Sequence, residues 1–223
     1  MGKSVLVVAA HADDEVLGCG GTLAKHVAAG DDVFAVFLTN GVGSRPESLG
    51  SAEIHRRQAA HKVGAILGLT EIVQYDFPDN KLDSVPLLEI VQRLESLLDR
   101  LQPAIIYTHH AGDLNIDHRI AFQAVLTACR PLPGVSVQEI YSFEVLSSTE
   151  WAGPDGPVFV PNVFVDIGEQ LEIKRLALEA YDLEMRPAPH SRSVRHSMLL
   201  AEHRGYSVGV SAAEVFQAIR LIR

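Results

Sequence analysis

Val5-Leu6-Val7-Val8-Ala9-Ala10 runs without interruption into His11-Ala12-Asp13-Asp14-Glu15. The first six residues form a short, continuous apolar run, the pattern of a strand covered on both faces in a parallel sheet. The next five contain four polar side chains. In an open parallel sheet ligands bind beyond the carboxyl ends of the strands, so this stretch places chemistry where a site belongs. The rest of the chain repeats the arrangement. Strands are expected at Val33–Leu38, Glu71–Tyr75, Ala104–Tyr107, Glu139–Phe143 and Val158–Val165. Between and after them, helices are expected at Gly20–Ala29, Ala52–Leu67, Leu87–Leu101, His118–Cys129 and Ile167–Tyr181. Gly68 and Pro103 punctuate two helix ends. Strands alternating with helices of this length predict right-handed βαβ units. The fold class is α/β: three layers, with a Rossmann-like, mostly parallel sheet and helices on both faces. One domain is expected over residues 1–223. Its last part, about 183–223, is polar and basic from Arg186 to Gly205 and reads as an excursion that returns over the sheet, near the active site.

Of the 223 residues, 47% are hydrophobic and 21% charged, enough for a full core and against compositional disorder. The net charge of −9 repels polyanions and argues against nucleic acid as a partner. The two cysteines, Cys19 and Cys129, form no CxxC pair, which excludes a zinc ribbon and suits a reducing compartment. The first apolar run is too short for a signal peptide, and no stretch approaches the ~18 apolar residues of a membrane span. A cytoplasmic protein without membrane association is expected, and a homo-oligomer is compatible with the sequence.

Two clusters carry the chemistry. In the first, His11 and Asp14 are spaced to converge from a tight turn. An aspartate pair here could simply cap the next helix. Two adjacent carboxylates with a histidine exceed what capping needs, and they repel one another unless a cation offsets them. Gly18-Cys19-Gly20-Gly21 does not make a dinucleotide loop, because Leu23 stands where GxGxxG requires glycine and the second strand ends Thr39-Asn40-Gly41 without an acid. In the second cluster a buried strand runs into Thr108-His109-His110-Ala111-Gly112-Asp113-Leu114-Asn115-Ile116-Asp117-His118. His109 and His61, taken singly, read as polar loop residues. Two strand ends can bring His11, Asp14 and His118 to one point. Two imidazoles and a carboxylate are a usual catalytic zinc set, and iron(II) fits the same ligands as an alternative.

At these clusters the sequence resembles the LmbE/PIG-L family of zinc-dependent N-deacetylases. The family's Ala-His-Pro-Asp-Asp-Glu motif stands here as Ala10-His11-Ala12-Asp13-Asp14-Glu15, and its His-x-Asp-His motif as Asn115-Ile116-Asp117-His118. Phe77-Pro78-Asp79-Asn80-Lys81-Leu82, Pro189-His190-Ser191-Arg192-Ser193 and Arg204-Gly205-Tyr206-Ser207-Val208-Gly209 extend the resemblance. It implies one zinc ion on His11, Asp14 and His118, with Asp13 as general base and Asp117 orienting a neighbouring group. Asn115 replaces a family histidine. Asparagine can donate to an oxyanion but cannot exchange a proton near neutral pH, so His110 or Asp13 would protonate the leaving amine. Arg56 matches a position that contacts substrate, His110 is a second candidate contact, and His190 and Arg192 are further ones from the C-terminal excursion. The implied reaction removes the N-acetyl group of an amino sugar or its conjugate, a small-molecule substrate. The alternatives are a metal-dependent hydratase or hydrolase of a small carboxylic acid, and a non-catalytic metal-binding module. Substrate specificity is expected in the loops near Gly41–Ser51 and Gly153–Pro157.

Overall fold

A computed structural model describes residues 2–39, 49–154 and 156–223, without the side chains of residues 49–53. Of the first loop expected to set specificity, Gly41–Ser51, residues 41–48 lie outside the described residues and 49–51 open the helix Leu49–Leu67; Asp155 also lies outside. The expected opening strand is β1, Ser4–Ala9. It pairs in parallel with β2 (Asp32–Thr39) and with β4 (Ile105–His109). Outward from these, β2 pairs with β3 (Glu71–Phe77) and β4 with β5 (Glu139–Phe143), again in parallel. Two further strands, β6 (Val163–Asp166) and β7 (Ala213–Leu221), complete a seven-stranded sheet of order β3-β2-β1-β4-β5-β7-β6, with β7 antiparallel to both neighbours. From β1 the chain crosses to β2 and on to β3 on one side, then crosses back from β3 to β4 on the other side of β1. The crevice between the ends of β1 and β4 is thus the topological switch point, where such sheets bind ligands.

The period of two along β1 divides the core. Val5, Val7 and Ala9 face one layer, formed by α1 (Asp14–Ala28), α2 (Leu49–Leu67) and α5 (Leu171–Ala180), where they share a cluster with Leu23, Ala60 and Leu178. Leu6 and Val8 face α3 (Leu87–Leu101) and α4 (Ile116–Ala128), beside Ile90, Leu94, Ala121 and Val125. Each buried aliphatic side chain contributes about 1.5–3 kcal/mol, so a strand filled on both faces is strongly fixed in register.

Several boundaries differ from the sequence expectation. The first helix begins at Asp14, six residues before Gly20, because its glycines serve close packing: a side chain at Gly18 would enter the Phe143 ring, and one at Gly21 would meet Ile167. The helix breaks at Cys19 (φ −148°, ψ 18°). A buried pair clamps the break. Lys174 Nζ donates to the Leu17 carbonyl (3.1 Å) and to Glu214 (2.5 Å), and Glu214 accepts from the Gly21 and Thr22 amides (2.9 and 2.6 Å). The helix expected from His118 begins at Ile116, with Asn115 as its cap. The strand expected at Val158–Val165 is shortened to Val163–Asp166, since Pro161 has no N–H for the ladder; pairing begins at the Asn162 amide, which reaches the Phe216 carbonyl. The expected helix from Ile167 opens with a 3-10 turn, Gly168–Gln170, before α5. The C-terminal excursion folds into α6 (Val194–Tyr206), capped by Ser193, and then into β7 within the sheet. No helix among the described residues is long and apolar enough to cross a membrane.

Candidate metal centre at the switch point

The turn between β1 and α1 is folded by its own side chains. Asp14 Oδ2 accepts the His11 amide at 3.0 Å and lies 3.0 Å from His11 Nδ1. Asp13 takes φ 125°, a left-handed conformation that costs a non-glycine residue about 1–3 kcal/mol. Glu15 holds it there: its Oε2 accepts the Asp13 amide at 2.9 Å while its Oε1 accepts the Tyr181 hydroxyl at 2.6 Å. Burial pushes Glu15 up to about 8, against the pull of both donors.

From β4, His109 accepts the Ala10 amide at 2.8 Å and ties the two strand ends together. It is fully buried, and burial holds its pKa well below the ordinary imidazole value. It is therefore a structural strand residue, not the loop residue its isolated occurrence suggests. His61, by contrast, is exposed on α2. The His109 ring stacks on His118, centroids 3.9 Å apart, and so steers the first turn of α4 into the crevice.

His118 Nε2 lies 3.2 Å from Asp14 Oδ2. Ligand atoms of His11, Asp14 and His118 lie within 4.8 Å of one another, all three residues buried. Each histidine meets a carboxylate with its other nitrogen. His118 Nδ1 is 3.1 Å from Asp113 Oδ1, and His11 Nε2 is 3.2 Å from Asp117 Oδ2 and from Asp79 Oδ1. Such outer carboxylates fix ring orientation and raise ligand basicity around protein-bound metals. His11, Asp79 and Asp117 form a second compact group. Asp117, however, already accepts the Asn80 and Leu82 amides at 2.7 and 2.9 Å, which makes it the anchor of the segment after β3.

The electrostatics of the first group fit a cation. Five aspartates, Asp13, Asp14, Asp79, Asp113 and Asp117, are at most 2% exposed. Burial disfavours the charged form of His118, yet Asp14 and Asp113 raise it to about 9, and the carboxylates around His11 likewise raise it well above its ordinary value. The pocket therefore favours positive charge, and a divalent ion can replace those protons. Asp14 Oδ1 and His118 Nε2 are buried without a hydrogen-bond partner among the described residues, as expected of atoms reserved for a metal.

Asp13 sits beside this group, fully buried. Its Oδ2 accepts from Arg192 Nη1 at 2.9 Å, and Arg56 Nη2 is 4.0 Å away while pairing with Glu184 at 2.9 Å. Its Oδ1 has no hydrogen-bond partner among the described residues. Burial raises Asp13 to about 6, with the Arg192 charge acting in the opposite direction. The remaining candidates are engaged elsewhere. Asn115 Oδ1 caps α4 by accepting the Asp117 amide, and Asn115 Nδ2 donates to Asn80 Oδ1 at 3.1 Å. His110 Nε2 donates to the Pro157 carbonyl at 2.9 Å, and His190 Nδ1 accepts the Arg192 amide at 3.0 Å. Glu15, Asp79 and Asp113 stand in the quoted motifs without a role of their own, and Tyr181 and Glu184 lie outside them. Only their proximity in the fold reveals them.

The mostly parallel sheet carries its histidine–aspartate cluster at the switch point, where such sheets bind ligands. The PIG-L family, described as GlcNAc-PI de-N-acetylase, matches residues 6–129, more than half of the chain. The chain belongs to the PIG-L family, a class of hydrolytic N-deacetylases. It is 29% identical over 180 residues to the uncharacterized deacetylase YaiS of Escherichia coli K12, covering 78% of this chain and 88% of that one. It is 25% identical over 198 residues to the diacetylchitobiose deacetylase of Thermococcus kodakarensis, covering 81% and 69%. Among solved structures, the conserved protein TT1542 of Thermus thermophilus superposes with a TM-score of 0.79 at 28% identity, over 99% of this chain and 96% of that one.

Proposed function

We propose that this protein removes the N-acetyl group of an amino sugar, or of a conjugate of one, to give acetate and a free amine, with one divalent ion held by His11, Asp14 and His118. The observation that supports this most is the convergence of the three side chains beside an aspartate whose second oxygen is buried and unpartnered among the described residues. Zinc suits the two-imidazole, one-carboxylate set, and iron(II) is the alternative. When bound, such an ion supplies Lewis acidity toward an amide carbonyl and toward water.

The chain's own residues do the rest. Asp13 is the general base: Arg192 holds Oδ2, leaving Oδ1 to take a proton from the attacking water. Glu15 and Tyr181 keep Asp13 in its left-handed conformation and so keep that oxygen aimed. Asp13 then returns the proton to the departing nitrogen, since no imidazole beyond the metal group is placed for it among the described residues: His110 and His109 are both engaged in backbone contacts. Asn115 retains one amide hydrogen beyond that given to Asn80, and Arg56 stands behind Asp13; these are the donors proposed for the oxyanion. Asp117 and Asp113 orient the two histidine rings. The twofold relation to amino sugars, in the family and in the T. kodakarensis relative, supports the substrate class.

The test is acetate release from a panel of N-acetylated amino sugars, run beside water addition to an unsaturated dicarboxylate. Acetate from the sugars and no hydration supports the proposal. Hydration without acetate release would replace it with hydratase chemistry on the same residues.

A further inference from the structure

A cavity of about 530 Å³, within the usual range of small-molecule sites, lies outside the metal centre between the 3-10 turn Thr149–Trp151 and the start of α6. Its walls include Trp151, Pro189, His190, Arg195, His196 and Leu199. Trp151 and Leu199 are about half exposed, at 52% and 50%, so apolar surface is left uncovered. Among the described residues no aspartate or glutamate lines the cavity, although the chain carries a net charge of −9. The neighbouring carboxylate, Glu150, is taken up by the Ser147 and Ser148 amides and the Ser191 hydroxyl. Arg195 has no ion-pair partner among the described residues.

Both walls are built on segments that grip the metal centre. On one side, Ser148 and Thr149 donate to Asp113, which faces His118. On the other, His190 and Ser191 directly precede Arg192, whose guanidinium reaches Asp13. Ser191 and Ser193, which line the cavity, thus flank the arginine that reaches Asp13.

We infer that this cavity is a subsite for the group attached to the amino sugar, and that it takes a flat apolar ring bearing a carboxylate. The inference rests on the amino-sugar reading of the metal centre. The indole of Trp151 offers a face for stacking, Leu199 and Pro189 extend the apolar wall, and Arg195 offers a guanidinium to the acid.

Trp151 is the only tryptophan of the chain, so its fluorescence reports on the cavity without requiring turnover. The probes are N-acetylglucosamine, its phenyl glycoside and its 4-carboxyphenyl glycoside. The 4-carboxyphenyl glycoside is expected to change Trp151 fluorescence and to bind about tenfold more tightly than the phenyl glycoside, the scale of one charge-assisted hydrogen bond. Arg195→Gln should abolish that difference. Trp151→Ala should lower kcat/KM for both glycosides and leave it unchanged for the free sugar. Equal kcat/KM for all three probes, with fluorescence unresponsive to the glycosides, would overturn the subsite while leaving the deacetylase reading intact. Fluorescence binding without acetate release from any probe supports the subsite and overturns that reading instead.

Discussion

Arg192 Nη1 lies 2.9 Å from Asp13 Oδ2, joining residues 179 positions apart in the chain. The contact occupies one oxygen of the proposed base and leaves the other unpartnered among the described residues. It also makes the base's acidity depend on the segment before α6. Burial raises Asp13 to about 6, and the Arg192 charge limits that rise. As a base, Asp13 must be ionised, so activity falls as pH drops through its pKa. Removing the guanidinium raises the pKa further. Arg192→Gln is therefore expected to move the acid limb of kcat/KM to higher pH, and Arg192→Lys to move it less. An unmoved limb in Arg192→Gln would separate this arginine from the proton transfer.

Asp13→Asn retains the shape of the side chain and removes its basicity. Since Asp13 is not among the three proposed ligands, the variant should bind metal like the parent. Turnover should fall by about 10²–10⁴-fold, the usual scale of general-base loss. Metal content and initial rate measured on the same preparation check both halves.

Asp113 Oδ1 lies 3.1 Å from Nδ1 of His118, a proposed ligand, and would act on the metal through it. Asp113→Asn is expected to weaken metal affinity about 10–100-fold, as losses of outer carboxylates typically do. Competition with a chelator of known affinity measures this. An unchanged dissociation constant would reduce Asp113 to a loop anchor for Ser148 and Thr149.

Tyr181→Phe removes the hydroxyl that Glu15 accepts in the core and leaves a buried acceptor unsatisfied. A loss of about 1–3 kcal/mol is expected. At about 2–4 °C per kcal/mol for a chain of this size, the melting temperature should fall by several degrees. Thermal denaturation provides the check.

Much of this arrangement is legible along the chain because it is local. Val5–Ala10 announces a strand by composition, and His11 through Glu15 announces a site by crowding. Leu87–Leu101 has the periodicity of an amphipathic helix, and its bounds match the structure residue for residue. The failures share a physical cause. Gly18 falls before the expected helix start at Gly20 but lies inside α1, and Gly18 and Gly21 serve contact with Phe143 and Ile167, far away in sequence. The capping role of Asn115, whose Oδ1 accepts the Asp117 amide at the start of α4, is a preference asparagine shows at helix starts, but the helix bound that reveals it comes from the fold. The strand Ala213–Leu221 is legible in principle from its β-branched and aromatic residues, but the polar stretch before it obscures the return to the sheet. Glu15, Asp113 and Glu184 gain meaning only from partners that folding brings to them.

We propose that His11, Asp14 and His118 hold a metal on which amide hydrolysis depends. The most direct measurement is acetate release from N-acetylated amino sugars by metal-stripped protein titrated with zinc. The predicted result is negligible release without metal and a rise that reaches its plateau at one equivalent per chain, with no such rise in His118→Ala. Full acetate release by the metal-stripped protein would show that hydrolysis does not depend on a metal at these residues.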